Sequence, residues 1–380
     1  MNIEIGKRNT LEINDNSELI VVAPFGRSKA DDFIDYYDYA MKLHSLNPHM
    51  LHELTTVFPF DHFRKRIISD INIPYGTVFA YEFVSNCLIK NAKSKKEIEY
   101  ILKQTLNNQL DSGIDYFTLH ASLNTDFISK NLNSINNRTI KIPSRAGSML
   151  LSLMKSLKID NPLHTHINYI AKMAAETGTA ISLGSTFRAG AISDCMDSVH
   201  ICEIYRQKQL VEICNNYGLS NILLEGFGHG LPQEFEQYCA LVKKELPSIP
   251  ITALGPLPVD SAIGFDDVAA SIGIVLGRQC GLSLVNIVTC KEHVSLPDFK
   301  DCKQAISYAK LGGRIGDVIK TGKDSINDKE LSLARKNLDW KTQIDNSIIP
   351  EMAESLLGSY ENGTSCSICE SNCPHKKVNL

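Results

Sequence analysis

The sequence predicts an α/β protein built as a (β/α)8 TIM-like barrel with a small C-terminal helical, cysteine-containing module. Three observations carry that expectation. Short β-rich runs alternate with helix-period segments, polar residues gather where the runs end, and the pattern changes after about residue 320. Alternating strands and helices imply a parallel sheet. Eight or so repeats in about 300 residues imply closure into a barrel. An open doubly wound sheet is the alternative, but no GxGxxG stands at a first strand-to-helix turn.

The β-rich runs are "LIVVAPF" (19–25), "YGTVFAYE" (75–82), "DYFTLHA" (115–121), "TIKIPS" (139–144), "TAISLGS" (179–185), "NILLEGF" (221–227), "IPITALG" (249–255) and "LSLVNIV" (282–288). "MLHELTT" (50–56) is a weaker ninth. Helical stretches lie between them, among them "KSKKEIEYILKQTLNNQLDSG" and "SVHICEIYRQKQLVEICNNYG", the second stopping at Gly218. The most apolar stretch, "VAASIGIVLGRQCGLSLVNIVTC", is interrupted by Arg278 and Gln279 and reads as a buried helix, a turn and a strand. The domain plan is therefore an N-terminal extension over 1–18, a barrel over 19–320, and a connector with a terminal module over 321–380.

Composition narrows the function classes. The 380 residues carry a formal net charge of −4 and no basic cluster, which argues against nucleic acid as a partner. "MNIEIGKRNTLEIND" lacks the apolar core of a signal peptide or membrane anchor, so a cytoplasmic protein is expected. Eight of the eleven cysteines are scattered through apolar or helical contexts and read as reduced thiols. The other three, Cys366, Cys369 and Cys373, fall within eight positions beside Pro374 and His375.

The C-x2-C-x3-C spacing of that trio serves two chemistries. Three thiolates hold three irons of a 4Fe–4S cluster and leave the fourth iron open to a small molecule. With His375 as a fourth ligand they form a Cys3His zinc site. In the barrel, His120, Ser144 with Arg145, Ser185 with Arg188, Glu225 with His229, and Lys291 with Glu292 and His293 all follow β-rich runs. The C-terminal ends of barrel strands open on one face, so these side chains are expected to converge there. The turns "SRAG", "LGSTFRAG", "EGFGHG" and "LGPLP" are glycine-flanked, which lets backbone approach a ligand. Arg145 and Arg188 suit a phosphate or carboxylate. His229 and His293 suit a divalent metal with open positions. Glu225 serves as a general acid/base or as an acceptor for a sugar hydroxyl.

These stretches together resemble the phosphomethylpyrimidine synthase family, the ThiC-like radical S-adenosylmethionine enzymes. The resemblance is carried by "GIDYFTLHA", "SRAGSMLLSLMKS", "ISLGSTFRAGAISD", "LLEGFGHGLP", "ALGPLPVDSAIGFDDVAASIG", "VTCKEHVSLP" and the cysteine trio, in family order from about residue 72 onward. It implies a barrel beginning by about residue 19, with the family's N-terminal domain shortened or missing. It implies a 4Fe–4S cluster on Cys366, Cys369 and Cys373, and zinc or iron on His229 and His293. A phosphorylated small molecule would be bound by Tyr81, His120, Ser144, Arg145, Gly147, Ser185, Arg188 and Glu225, with Glu225 and His120 as catalytic groups. The implied chemistry is a carbon–carbon lyase reaction that rearranges aminoimidazole ribotide toward the thiamine pyrimidine. S-adenosylmethionine would be cleaved at the cluster to a 5′-deoxyadenosyl radical. The resemblance also implies a flavodoxin or ferredoxin reductant and a homodimer whose tail closes over the partner's barrel. A sister branch makes 5-hydroxybenzimidazole instead. A non-catalytic ligand-binding paralogue with a zinc-bound tail is the reading from a different class.

The sequence departs from the family pattern in the pocket. The cysteine spacing is one residue shorter than the family's C-x2-C-x4-C. Ala146 replaces a glycine, Ser185 an aspartate, Thr252 an aromatic phenol and Arg27 an asparagine. These departures imply retained radical chemistry on an altered substrate.

Overall fold

The computed structural model describes residues 2–26, 36–56, 61–323 and 325–377. The chain divides into two compact units, Met1–Gly313 and Arg314–Leu380. The first is a closed parallel barrel behind a small antiparallel hairpin.

The hairpin comprises β1 (Asn2–Ile5) and β2 (Leu11–Asn14), paired with Ile5 opposite Leu11. The barrel strands are β3 (Ile20–Phe25), β4 (Met50–Glu53), β5 (Tyr75–Val78), β6 (Tyr116–Leu119), β7 (Ala180–Leu183), β8 (Ile222–Glu225), β9 (Ile251–Leu254) and β10 (Leu282–Asn286). Each pairs in parallel with its neighbours, and β10 closes against β3 with Val285 opposite Val21. Both faces of such strands are covered, so they read as continuous apolar runs rather than as alternation.

The hairpin seals the N-terminal end of this barrel. Burial along β1 alternates, sending Ile3 and Ile5 inward. With Ile13 they pack on Ile20, Met50, Tyr116 and Ala180, the residues that begin four of the barrel strands. The turn between the two strands is pinned by Asp115. Its carboxylate accepts from the Lys7 N–H at 2.7 Å, the Tyr75 N–H at 2.8 Å and the Arg8 guanidinium at 2.8 Å. The opposite end of the barrel, where the strands finish, is left to the candidate site.

Two expectations are corrected by the structure. The run 139–144 is not a strand: the Thr139 and Ile140 N–H groups donate to the buried Asp194 carboxylate, at 2.9 and 2.8 Å, rather than to a neighbouring strand. The weaker "MLHELTT" supplies β4 instead; its polar His52 and Glu53 are buried and obscured the apolar pattern. The run 75–82 stops at Val78, because the helix Phe79–Ile89 begins without a loop. The apolar stretch around Arg278 is, as expected, a helix, a turn and a strand. The helix Asp266–Cys280 runs through Arg278 to Gly281 at φ +112, and the Arg278 guanidinium caps the Leu282 carbonyl at 2.8 Å.

Of the eight scattered cysteines, Cys87, Cys195, Cys214, Cys239 and Cys302 are buried. Burial pushes the thiols of Cys87, Cys195 and Cys214 up to about 12, which makes them inert packing groups. No helix among the described residues is long and apolar enough to cross a membrane.

The second unit is built on the single tryptophan. Its helices are Ile326–Lys336, started by a Ser325–Asp328 capping box, Trp340–Asp345 and Pro350–Leu357. Trp340 packs on Tyr360 with ring centroids 5.0 Å apart, and its indole N–H donates to the Thr364 carbonyl at 3.1 Å. Leu338, Trp340 and Cys373 form an apolar cluster with Leu357, Tyr360, Cys366 and Cys369.

Two buried histidines make the fold acid-sensitive. Burial lowers His120 from the usual 6.5 to about 4 and His200 to about 3. Both are neutral when folded, whereas the unfolded chain protonates them near 6.5. Stability is therefore complete above about pH 6.5 and is lost as pH falls toward 4, by about 2 kcal/mol per histidine at pH 5. Urea melts are expected to show this loss between pH 7.5 and pH 5. A midpoint unchanged over that range would contradict the burial of neutral imidazoles.

Candidate active site

Most of the side chains singled out from the sequence line one cavity of about 470 Å3 at the C-terminal ends of the strands. Tyr81, His120, Ser144, Arg145, Arg188, Glu225, His229, Glu292 and His293 all line it. Each is placed by a local feature. Tyr81 lies in the first turn of the helix that follows β5 without a loop. Ser144 caps the helix Arg145–Leu157, its Oγ accepting from the Gly147 N–H at 3.1 Å, so Arg145 stands at a helix N-terminus. The Arg145 guanidinium lies 5.7 Å from the Tyr81 ring centre. Ile140, Ile142 and Pro143, from the run that is not a strand, form an apolar wall of the same cavity.

Glu225, the last residue of β8, is the centre of the polar groups. Its Oε2 accepts from the Ser185 N–H at 2.9 Å and lies 3.7 Å from His120 Nε2 and 4.0 Å from Arg188 Nη1. His120 lies over Gly184, where any Cβ would clash with the imidazole ring. His120 presents Nε2 to the Glu225 carboxylate. Burial also raises the Tyr81 phenol, opposed by Arg145 and Arg188.

His229 and His293 stand side by side, ring centroids 5.2 Å apart. His229 Nδ1 donates to the Asp260 carboxylate at 2.8 Å, which turns the Nε2 lone pair outward as a ligand would need. Burial lowers His229, while the hydrogen bond to Asp260 opposes that shift. His293 occupies a left-handed backbone conformation at φ +62, which a non-glycine residue adopts only when its surroundings enforce it. Two imidazoles with a carboxylate behind one of them fit a divalent metal with open positions.

The other candidates take different places. Gly147 and Ser185 stand one layer behind the cavity wall. A Cβ at Gly147 would press on Thr186, and the Ser185 hydroxyl donates to Glu203 at 2.5 Å. Lys291 lines an adjoining cavity of about 440 Å3 and is paired with Asp298 at 3.2 Å and Asp301 at 2.6 Å. Thr252 is buried in β9 beneath the site, beside His52, Glu225 and Asn286. Arg27 lies outside the described residues.

In the second unit Cys366 and Cys369 are hydrogen-bonded through their thiols, with Cys373 packed in the same apolar cluster. Backbone N–H groups of Cys369 and Ile368 directed at Cys366 lower its thiol, whereas the Cys366 contact raises Cys369. Amide donors aimed at sulfur and three convergent thiols fit the ligand set of an iron–sulfur cluster. His375, the fourth member of the zinc alternative, is exposed on the short helix Pro374–Lys377. Among the described residues no three of His, Cys, Asp and Glu already stand in metal-binding geometry.

Sequence reasoning passed over His52, Asn286, Asp260, Arg138 and Glu203. Glu203 carried a signal: it occupies a core position of the helix Ser198–Asn216, in line with buried Val199 and Gln207. A carboxylate at such a position needs partners.

The structure thus defines a closed (β/α)8 barrel protein whose strand ends gather guanidinium, carboxylate and paired imidazole groups at one cavity, with a thiol-bearing unit following in the chain. Residues 3–379 match the Radical SAM ThiC family, and the chain belongs to that family. Phosphomethylpyrimidine synthase of Archaeoglobus fulgidus is 30% identical over 330 residues, covering 86% of this chain and 76% of the relative. The protein of that name from Sulfolobus acidocaldarius is 30% identical over 375 residues, covering 98% and 85%. The 5-hydroxybenzimidazole synthase of Geobacter metallireducens is 29% identical over 352 residues, covering 90% and 80%.

Proposed function

We propose that the chain is a radical S-adenosylmethionine lyase that rearranges aminoimidazole ribotide or a closely related phosphorylated heterocycle. The observation that carries this reading is the convergence of Arg145, Arg188, Glu225, His120 and the histidine pair on one cavity, in a chain of this family. A 4Fe–4S cluster held by Cys366, Cys369 and Cys373, with S-adenosylmethionine on its open iron, would supply the hydrogen-abstracting radical. Zinc or iron held by His229 and His293 would supply a Lewis acid beside the substrate.

The chain's own groups have separable tasks. Arg145 and Arg188 offer two guanidinium groups, and the helix beginning at Arg145 adds its N-terminal field, so the phosphate binds between them. Glu225, braced by the Ser185 N–H, accepts from a ribose hydroxyl or takes a proton there. Neutral His120 donates through Nε2 and passes a proton to or from Glu225. Ile140, Ile142, Leu254 and Val288 exclude water from the reacting groups. The reading includes a homodimer and a flavodoxin or ferredoxin reductant, both inferred from the family.

The likeness to the Geobacter metallireducens synthase supports a second reading, in which the same ribotide yields 5-hydroxybenzimidazole. Incubation of the reduced, cluster-loaded protein with aminoimidazole ribotide, followed by mass analysis, separates the two. A hydroxymethylpyrimidine phosphate supports the first product and a hydroxybenzimidazole the second; an unconsumed ribotide excludes the second reading and confines the first to a related heterocycle. Calorimetric titration should show Arg188→Ala weakening ribotide binding by roughly 10- to 150-fold, the worth of one charged hydrogen bond. Equal affinity in the variant would remove Arg188 from the phosphate site.

A further inference from the structure

The turn Ser185–Arg188 separates β7 from the cavity, and buried charge grips its backbone on both sides. Glu203 has no exposed surface. It accepts from the N–H groups of Thr186 and Phe187, each at 2.7 Å, and from the hydroxyls of Ser185 and Ser122, each at 2.5 Å. On the other side Arg138, paired with Asp197 at 2.8 Å, donates to the carbonyls of Phe187 and Arg188 at 2.9 and 3.1 Å. One carboxylate thus satisfies the turn's donors and one guanidinium satisfies its acceptors. Ser185 joins this grip to the site. Its hydroxyl is tied to Glu203, its N–H donates to Glu225 Oε2 at 2.9 Å, and its carbonyl accepts from Arg188 Nη1 at 2.9 Å.

We propose that Glu203 is the positioning residue of the site, fixing the Ser185–Phe187 turn so that Glu225 and Arg188 are held in register for substrate. Four donors and no acceptor face its two oxygens, so a carboxylate is required. A glutamine there presents one oxygen and one NH2 group, and the NH2 opposes two of the donors. An aspartate, one methylene shorter, does not reach the turn from its helix. Glu203 does not touch the cavity and acts only through Ser185 and its neighbours. The inference rests on the cavity being the ribotide site.

Glu203→Gln in the full chain tests it, read by crystal structure, by thermal melt and by calorimetric titration with aminoimidazole ribotide. The turn is expected to shift, the Ser185 N–H contact to Glu225 to break, and ribotide affinity to fall at least about tenfold. Ser122→Ala removes the one donor outside the turn, so it should lower the melting temperature yet leave affinity within about twofold. A merely structural carboxylate would make the two variants behave alike. Unchanged geometry and affinity in Glu203→Gln, with stability alone reduced, would overturn the proposal. If Glu203→Gln does not fold, Ser185→Ala, which cuts one link between the turn and Glu203, decides the matter: weaker binding supports the proposal and unchanged binding overturns it. If the unmodified chain fails to bind the ribotide, the ribotide reading fails, and the crystallographic arm alone judges Glu203.

Discussion

Cys369→Ala is expected to abolish S-adenosylmethionine cleavage while the barrel stays folded. The three thiols share one small cluster around Trp340, and the middle one is hydrogen-bonded to Cys366. Two remaining thiolates cannot hold three irons, so the variant should reconstitute with little iron and release 5′-deoxyadenosine at background, a loss of at least about 10³-fold. The barrel core is a separate cluster of buried residues in which none of the three cysteines takes part. Its cooperative melt should move little. A structural zinc knot predicts the reverse: lost zinc and a destabilised second unit, with no effect on S-adenosylmethionine because none is cleaved.

The second large effect concerns the seal of the barrel. Ile5 and Ile13 are each about 1% exposed and fill the barrel's N-terminal end. Replacing both by Ala removes about 2–5 kcal/mol each, because the strands around them form a closed ring that collapses poorly into a cavity. A loss of at least about 4 kcal/mol is a large part of the 5–15 kcal/mol that domains typically possess. The urea midpoint of the double variant should fall accordingly, or the protein should fail to accumulate. An unchanged midpoint would mean that the hairpin is an appendage rather than part of the core.

The barrel was legible because a parallel strand buried on both faces leaves an apolar run, and seven of its eight strands carry one. The eighth, β4, was faint because His52 and Glu53 are polar groups buried by specific partners. Glu53 receives the Arg64 guanidinium at 2.8 Å and the Tyr75 hydroxyl at 3.0 Å. Such long-range pairing leaves no periodic trace. The run 139–144 misled for the complementary reason: its β-branched residues wall a cavity, and Asp194, some fifty residues distant, takes its N–H groups. The site residues were legible as polar groups at strand ends. What held them was legible only in part: Glu203 stands out as a carboxylate at a core position of its helix, but its grip on the turn, and that of Arg138 some fifty residues away, leave no periodic trace.

On the proposed reading, the terminal thiols would carry an iron–sulfur cluster that reduces S-adenosylmethionine. Anaerobic reconstitution with iron and sulfide, followed by metal analysis and chromatography after adding S-adenosylmethionine and reductant, tests it most directly. About four irons per chain and release of 5′-deoxyadenosine are expected. A colourless protein that holds only zinc and leaves S-adenosylmethionine intact would contradict it.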